Sequence, residues 1–208
     1  MAVSIAIVDL GIGNLRSVWR GLNRVGVAAS VVADARGIRS ADKIILPGVG
    51  NFGRAMSGLT RLGILDALNE AVQIKKKPIL GICLGMELMA NRSEESGTQG
   101  LGWLNGNVVK LRPGDPERFK VPYIGWNRVN VTRSAAIMRE IDENAEFYFL
   151  HSYVLELEIE DRKVVAGETV YETAFPSVIQ RENIFGVQFH PEKSHDAGER
   201  VLRNFVEI

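Results

Sequence analysis

Between residues 3 and 92 the chain alternates short apolar runs with longer stretches patterned for helices, and this alternation constrains the fold more than any single motif. "VSIAIVD" (3–9), "ASVVA" (29–33), "KIILPG" (43–48) and "KPILGIC" (77–83) read as strands bounded by turn residues. Between them, "LRSVWRGLNRV" (15–25) places Leu15, Val18, Trp19, Leu22 and Val25 on one helical face. Residues 53–74 read as a helix with a break at Gly63, and "LGMELMANR" (84–92) as another. Strands separated by helices require crossover connections and therefore a parallel sheet.

The second half has a different rhythm. "NVVKL", "NRVNV", "EFYFLHSYVLEL" (146–157), "KVVAGETV", "SVIQR" and "IFGVQFH" (184–190) are strand-like runs separated by turns, and a helix over 197–208 closes the chain. The expected fold class is α/β: a mostly parallel central sheet flanked by helices, with added antiparallel strands. No repeat or linker divides it, so residues 1–208 are expected to form a single domain.

Composition excludes several classes of function. Twenty-five basic residues balance 25 acidic ones, which leaves no electrostatic footprint for nucleic acid or an anionic membrane. One cysteine makes neither an internal disulfide nor a cysteine-based zinc site. No apolar run approaches the roughly 18 residues that span a bilayer, and the N-terminus lacks the pattern of a signal peptide. The expected compartment is the cytoplasm.

That single cysteine carries two readings. A lone Cys in an apolar stretch is usually buried and inert. Yet Gly81-Ile82-Cys83-Leu84-Gly85 has the form of a nucleophile elbow, a tight strand-to-helix turn, and a helix starting at Leu84 would favour a thiolate at Cys83. By itself the pattern leaves both readings open.

A nucleophilic cysteine needs a base and a group to orient it. His195, in polar "KSHDAG", reads as a solvated loop residue, and His151, after an aromatic strand, as a satisfied structural histidine. His190 ends "IFGVQFH" and precedes Pro191 and Glu192. In extended backbone, residues i and i+2 point to one side, about 6–7 Å apart, so Glu192 can accept the Nδ1–H of His190 and leave Nε2 free. The outline is a Cys83–His190–Glu192 triad. Oxyanion donors are expected from "LPGVGN" (46–51), whose N–H groups at residues 49–50 share one sheet edge with that of Leu84. The "GIGN" turn (11–14) lies on that edge too, but Arg16 stands where a dinucleotide fingerprint has its third glycine.

These blocks, in this order, resemble the class I (triad) glutamine amidotransferases, which hydrolyse glutamine through a γ-glutamyl thioester. "GICLGM" and "FHPE" are widely shared in that family. "GIGNLRS", "GWN" and "HPEKS" resemble more narrowly the glutaminase subunits of imidazole glycerol phosphate synthase in histidine biosynthesis, and the match runs over almost the whole chain. The resemblance implies Cys83 as nucleophile, His190 as base and Glu192 as its orienting carboxylate, with Pro47, Gly48, Val49 and Gly50 as the oxyanion strand. It implies that Glu95 meets the α-amino group of glutamine and that the backbone at Ser152 and Tyr153 meets the α-carboxylate. Asn14, Trp126, Tyr148 and Lys193 match positions facing the partner, a separate (βα)₈-barrel cyclase that receives the ammonia. It implies no cofactor and no metal.

Two positions depart from the family pattern. Glu87 replaces a usual glutamine four residues after the nucleophile, and Pro122-Tyr123-Ile124 replaces Pro-His-Met. A carboxylate at 87 is expected to oppose the carboxylate of glutamine unless it is protonated or paired. The departures also fit a paralogue feeding another barrel synthase, such as one modifying a cell-surface sugar, and Glu87 fits an inactive, partner-binding homologue.

Overall fold

The computed structural model describes residues 3–208. The first half lays down β1 (Ile5–Val8), α1 (Leu15–Arg24), β2 (Ala29–Val32), α2 (Ala35–Ser40), β3 (Lys43–Gly48), α3 (Phe52–Arg61), α4 (Leu65–Asn69), β4 (Ile79–Cys83), α5 (Leu84–Glu87) and β5 (Arg92–Ser93). The second adds β6 (Gly106–Lys110), β7 (Tyr123–Arg128), β8 (Asn130–Val131), β9 (Glu146–His151), β10 (Tyr153–Leu157), β11 (Val165–Tyr171), β12 (Thr173–Arg181), β13 (Ile184–Val187) and α6 (His195–Glu207).

An eight-stranded sheet has the order β2-β1-β3-β4-β13-β12-β11-β8. Pairing is parallel from β2 through β13 and antiparallel from β13 through β8. β1, β3, β4 and β13 are buried at every residue, as parallel strands covered on both faces must be. Their side chains alternate between two apolar layers: Ile44, Leu46 and Ile79 pack with Phe52 and Met86, while Ile45, Leu80 and Ile82 pack with Phe149, Phe189 and Phe205. Because β1 lies between β2 and β3, successive crossovers leave in opposite directions and open a crevice at the strand C-termini. The loops after β1 and β3 meet there. A Cβ on Gly13 (φ +97°) would lie 3.3 Å from Val49 N, so glycine permits that approach.

The break expected at Gly63 is present: α3 and α4 are separated at Leu62–Ile64, with Gly63 at φ +62°, and α4 then widens into a π-turn over Glu70–Ile74. Two other expectations need correction. The 84–92 helix lasts a single turn. The carbonyls of Leu88, Met89 and Ala90, which would have continued it, accept instead from the N–H groups of Leu101, Trp103, Leu104 and Gly102. "EFYFLHSYVLEL" is two strands: β9 pairs with β7 in a two-stranded ribbon, while β10 joins β6 and β5 in a separate sheet. Among the described residues no helix is long and apolar enough to cross a membrane, and no cluster of three or more His, Cys, Asp or Glu could hold a metal ion.

Candidate active site

Cys83 closes β4 with φ 52° and ψ −111°, a conformation that L-residues adopt only under constraint. The flanking glycines supply that constraint. A Cβ on Gly85 would sit 1.7 Å from the Leu46 carbonyl oxygen, and one on Gly81 would sit 2.7 Å from the Gly85 carbonyl oxygen. Only glycine lets α5 start this close against β3 and β4, and the resulting turn holds the thiol at the sheet edge. Cys83 is buried; its thiol donates to the Leu150 carbonyl at 3.7 Å and accepts from Gln188 Nε2 at 3.8 Å.

β13 pairs in parallel with β4, Val187 opposite Ile82, so the residues after both strands emerge together. His190 is buried, with Nδ1 2.8 Å from Glu192 Oε1. Its Nε2 is buried without a hydrogen-bond partner. The expected pairing is therefore present, by a different backbone route. His190 is extended (φ −100°, ψ 94°), but Pro191–Lys193 coil into a 3₁₀ turn, which brings the carboxylate back to the ring. Ser194 locks the arrangement: its hydroxyl donates to the His190 carbonyl at 2.7 Å and accepts from Tyr148 N–H at 3.0 Å.

The structure corrects the expectation of a lowered thiol pKa. Burial pushes the Cys83 thiol well up, the Glu87 carboxylate and, less strongly, Glu192 add to this, and the Leu84 N–H and the Gln188 amide oppose it. A one-turn helix ending in its own carboxylate supplies little favourable field. Glu87 is itself buried and accepts from Gln188 Nε2 at 2.9 Å; burial raises it to about 7 against that hydrogen bond, with Glu95 reinforcing the rise.

A cavity of about 410 Å³ opens beside the thiol. Val49, Gly50, Asn51, Cys83, Leu84, Glu87 and Glu95 form one wall; Pro122 and Leu150–Tyr153 form the other. Glu95 is anchored by accepting from Phe52 N–H, at the start of α3, at 2.7 Å. Among the anticipated residues, Pro47 and Gly48 belong to β3, in register with Ile82 and Cys83, and they do not line the cavity. Neither do His190 and Glu192.

His151 has a larger place than expected. Its Nδ1 lies 2.9 Å from the Tyr153 carbonyl, which only accepts, so Nδ1 carries the proton. Its Nε2 is buried and unpartnered, and the ring lines the cavity. Burial lowers it to about 4, against the Tyr153 hydrogen bond and assisted by the nearby His190, so it is neutral at pH 7. The departure at Tyr123 also belongs here: its ring stacks 3.9 Å from Tyr171 and meets His151 edge-on. Gln188 was not foreseen, because no local pattern marks it.

Trp126, Tyr148 and Lys193 form one cluster. The Trp126 and Tyr148 rings meet at 5.7 Å, Lys193 Nζ sits 5.3 Å over Tyr148, and the Tyr148 ring lies 6.4 Å from that of His190. Trp126 is 42% exposed, unusually open for so large a side chain. His195 is no simple loop residue; it begins α6 and stacks on Trp126 at 5.0 Å. Asn14 caps α1, accepting from Ser17 N–H.

Comparison with known proteins gives a consistent result. The family model "Glutamine amidotransferase class-I" matches residues 6–208. The imidazole glycerol phosphate synthase subunit HisH of Moorella thermoacetica is 45% identical over 205 residues, covering 98% of this chain and 94% of that protein. Subunit HisH 2 of Methanococcus maripaludis is 43% identical over 202 residues, covering 97% and 98%. Among solved structures, PurLQS from Thermotoga maritima superimposes with a TM-score of 0.77 at 19% identity, covering 100% of this chain and 99% of that one, a likeness of fold.

Proposed function

The chain belongs to the class I glutamine amidotransferase family, and we propose that it is the glutaminase subunit of an imidazole glycerol phosphate synthase, acting in the cytoplasm as one 208-residue domain beside a separate barrel-shaped cyclase. The observation that carries the chemistry is the buried His190–Glu192 pair, with an unpartnered Nε2 at the sheet edge that presents Cys83.

In this reading the thiol turns from the Leu150 carbonyl to His190, exchanging one acceptor for another. His190 Nε2 takes the proton as Sγ attacks the carboxamide carbon of glutamine, and Glu192 stabilises the imidazolium. The Leu84 N–H and an N–H from residues 49–50 receive the oxyanion. Collapse of the tetrahedral intermediate expels ammonia, which takes the His190 proton, and leaves a γ-glutamyl thioester. Water, deprotonated by His190, then releases glutamate and restores the thiol. Glu95 and the backbone of Ser152–Tyr153 hold the amino-acid end of the substrate. No step calls for a metal or cofactor.

The Trp126–Tyr148–Lys193 cluster supports a docking face next to the site, where ammonia passes to the cyclase. The decisive experiment is a glutaminase assay of the chain alone and with the cyclase subunit and its nucleotide ligand. A glutamine-analogue electrophile should label one site per chain, Cys83, and the cyclase should raise turnover. Trp126→Ala or Lys193→Ala should weaken that stimulation more than basal turnover. Absence of glutamine hydrolysis under both conditions overturns the reading. Hydrolysis stimulated only by a different barrel synthase would favour the paralogue that Glu87 and Tyr123 allow.

A further inference from the structure

Glu87 ends the single turn of α5, four residues after Cys83. Gln188, one residue beyond β13, reaches across from the neighbouring strand. Its Nε2 lies 2.9 Å from Glu87 Oε1 and 3.8 Å from Cys83 Sγ, while its own Oε1 is buried without a partner. Glu87 is 6% exposed, Gln188 0% and Cys83 4%. A single amide thus directs its donors at a carboxylate and a sulfur and leaves its acceptor unused. That costs free energy unless the two contacts matter more than the third.

We propose that the buried Glu87–Gln188 pair controls when Cys83 becomes a thiolate: the carboxylate keeps the proton on Sγ, while the amide steadies that carboxylate and offers Sγ a donor. Both residues act through the thiol, as positioning residues. The inference deepens the glutaminase reading, but it concerns an ionisation that can be followed without glutamine.

The other groups around the pair do not substitute for it. Glu95, from the segment after β5, and Tyr153, on β10, face Glu87; Glu95 adds negative charge and keeps Glu87 protonated to higher pH. Glu192, from the turn after β13, also opposes the thiolate, less than Glu87 does, and its Oε1 is engaged with His190. His151, on β9, is neutral above about pH 4 and contributes no cation there. The Leu84 N–H favours the thiolate from the start of α5. Glu87 thus changes its charge near neutrality, beside the thiol and the His190–Glu192 pair. Below about pH 7 it is protonated and its repulsion is absent; above, the repulsion is present and the thiol gives up its proton later.

The chain has one cysteine, so alkylation by iodoacetamide, a neutral reagent, reports on Cys83 alone. The test is the alkylation rate of the full-length chain, followed by mass spectrometry from pH 5.5 to 10. Glu87→Gln should move the midpoint of the profile down by about one pH unit or more, which makes alkylation about tenfold faster at pH 7.5. Adding Gln188→Leu to Glu87→Gln removes the donor to Sγ when the carboxylate at 87 is already gone, and should move the midpoint back up. Glu87→Met, close in volume and uncharged, guards against a poorly folding Glu87→Gln and should shift the midpoint in the same direction. An unchanged or higher midpoint in the folded Glu87 variants overturns the proposal. The two readings fail separately. A shifted profile in a chain that never hydrolyses glutamine leaves the pair standing, and normal hydrolysis with an unshifted profile removes it.

Discussion

One wall of the cavity (residues 49–51, 83–87 and 95) hangs mainly from the C-terminal ends of parallel strands buried at every residue. The other (Pro122 and residues 150–153) comes from the β7–β9 ribbon, where burial alternates along the strands, and from the start of β10. The first wall is shaped by backbone meeting backbone: Gly85 against Leu46, Gly13 against Val49. The second is shaped by side chains, with Tyr123, Phe149 and Phe175 packed around His151. A site made this way separates its tasks. Rigid backbone carries the groups that must meet at fixed distances, and the aromatic wall sets the shape and charge of the space they face.

The sharpest way to break that contrast is to remove one functional side chain from each wall. Cys83→Ala should lower glutamine turnover by about 10⁴-fold or more, as loss of a nucleophile does elsewhere. His151→Asn should cost less than about 10²-fold, the lower bound for a general acid or base. Steady-state glutaminase assays check both. Comparable losses would make His151 part of the chemistry and erase the division between walls.

Backbone contrast comes next. Gly85→Ala drives a Cβ to within 1.7 Å of a carbonyl oxygen and should cost more than about 4 kcal/mol, or prevent folding. Gly125→Ala, in the ribbon, would place its Cβ in ordinary contact with Tyr123 at 3.5 Å and should stay within about 1 kcal/mol of the parent. Urea unfolding of the two variants measures the difference.

The two walls also hold buried ionisable groups that act in opposite directions. Glu87, raised from 4.5 to about 7, favours the folded state when protonated; its contribution is complete below pH 4.5 and is lost as pH rises to about 7. His151, lowered from 6.5 to about 4, favours the folded state when neutral; its contribution is complete above pH 6.5 and is lost as pH falls to about 4. Each is worth about 3 kcal/mol over its interval. Between pH 4.5 and 6.5 the two slopes oppose, and their contributions to stability nearly cancel. Relative to the parent, Glu87→Gln should unmask the histidine, with stability rising by up to about 3 kcal/mol from pH 4.5 to 6.5, and His151→Asn should unmask the opposite trend. Denaturation at pH 5, 6.5 and 8 is the measurement. Parent-like pH dependence in both variants would mean that neither group is held as the structure indicates. The same logic refines substrate binding: Glu87→Gln should lower the apparent KM for glutamine more at pH 8 than at pH 6, since only the ionised carboxylate repels the substrate's own.

The smallest effect concerns the link between the walls. Ser194→Ala removes the hydroxyl that joins Tyr148 N–H on β9 to the His190 carbonyl, and should cost about 1–2 kcal/mol. A slight fall in turnover should accompany it as His190 loses a support. No change in stability would show that water replaces the hydroxyl.

Much of the first wall, and of the strand ends and the histidine–carboxylate pair behind it, was legible in the chain because the signals are local. The Gly81–Gly85 elbow, His190 with Glu192 two residues on, and the glycines of 48–50 are each contained within five residues. The second wall was less legible: Ser152 and Tyr153 entered only through the family resemblance. Nothing in "FLHSY" shows that Ser152 parts two strands belonging to different sheets, or that the imidazole of His151 faces the cavity. His195 looked solvated because its partner, Trp126, lies 69 positions earlier and on another element.

The sequence by itself determined the parallel core, the elbow that strains Cys83 and the residue types able to perform acyl transfer, because strand period, glycine spacing and side-chain chemistry are properties of short segments. Tertiary structure decided the state of those residues. Cys83 has its pKa raised rather than lowered, since burial and a carboxylate one turn away outweigh a four-residue helix. Glu87 is paired rather than merely repulsive, since strand pairing brings in Gln188 from 101 residues away. Burial and electrostatic coupling depend on what surrounds a group in space, and those neighbours are assembled only when the sheet closes.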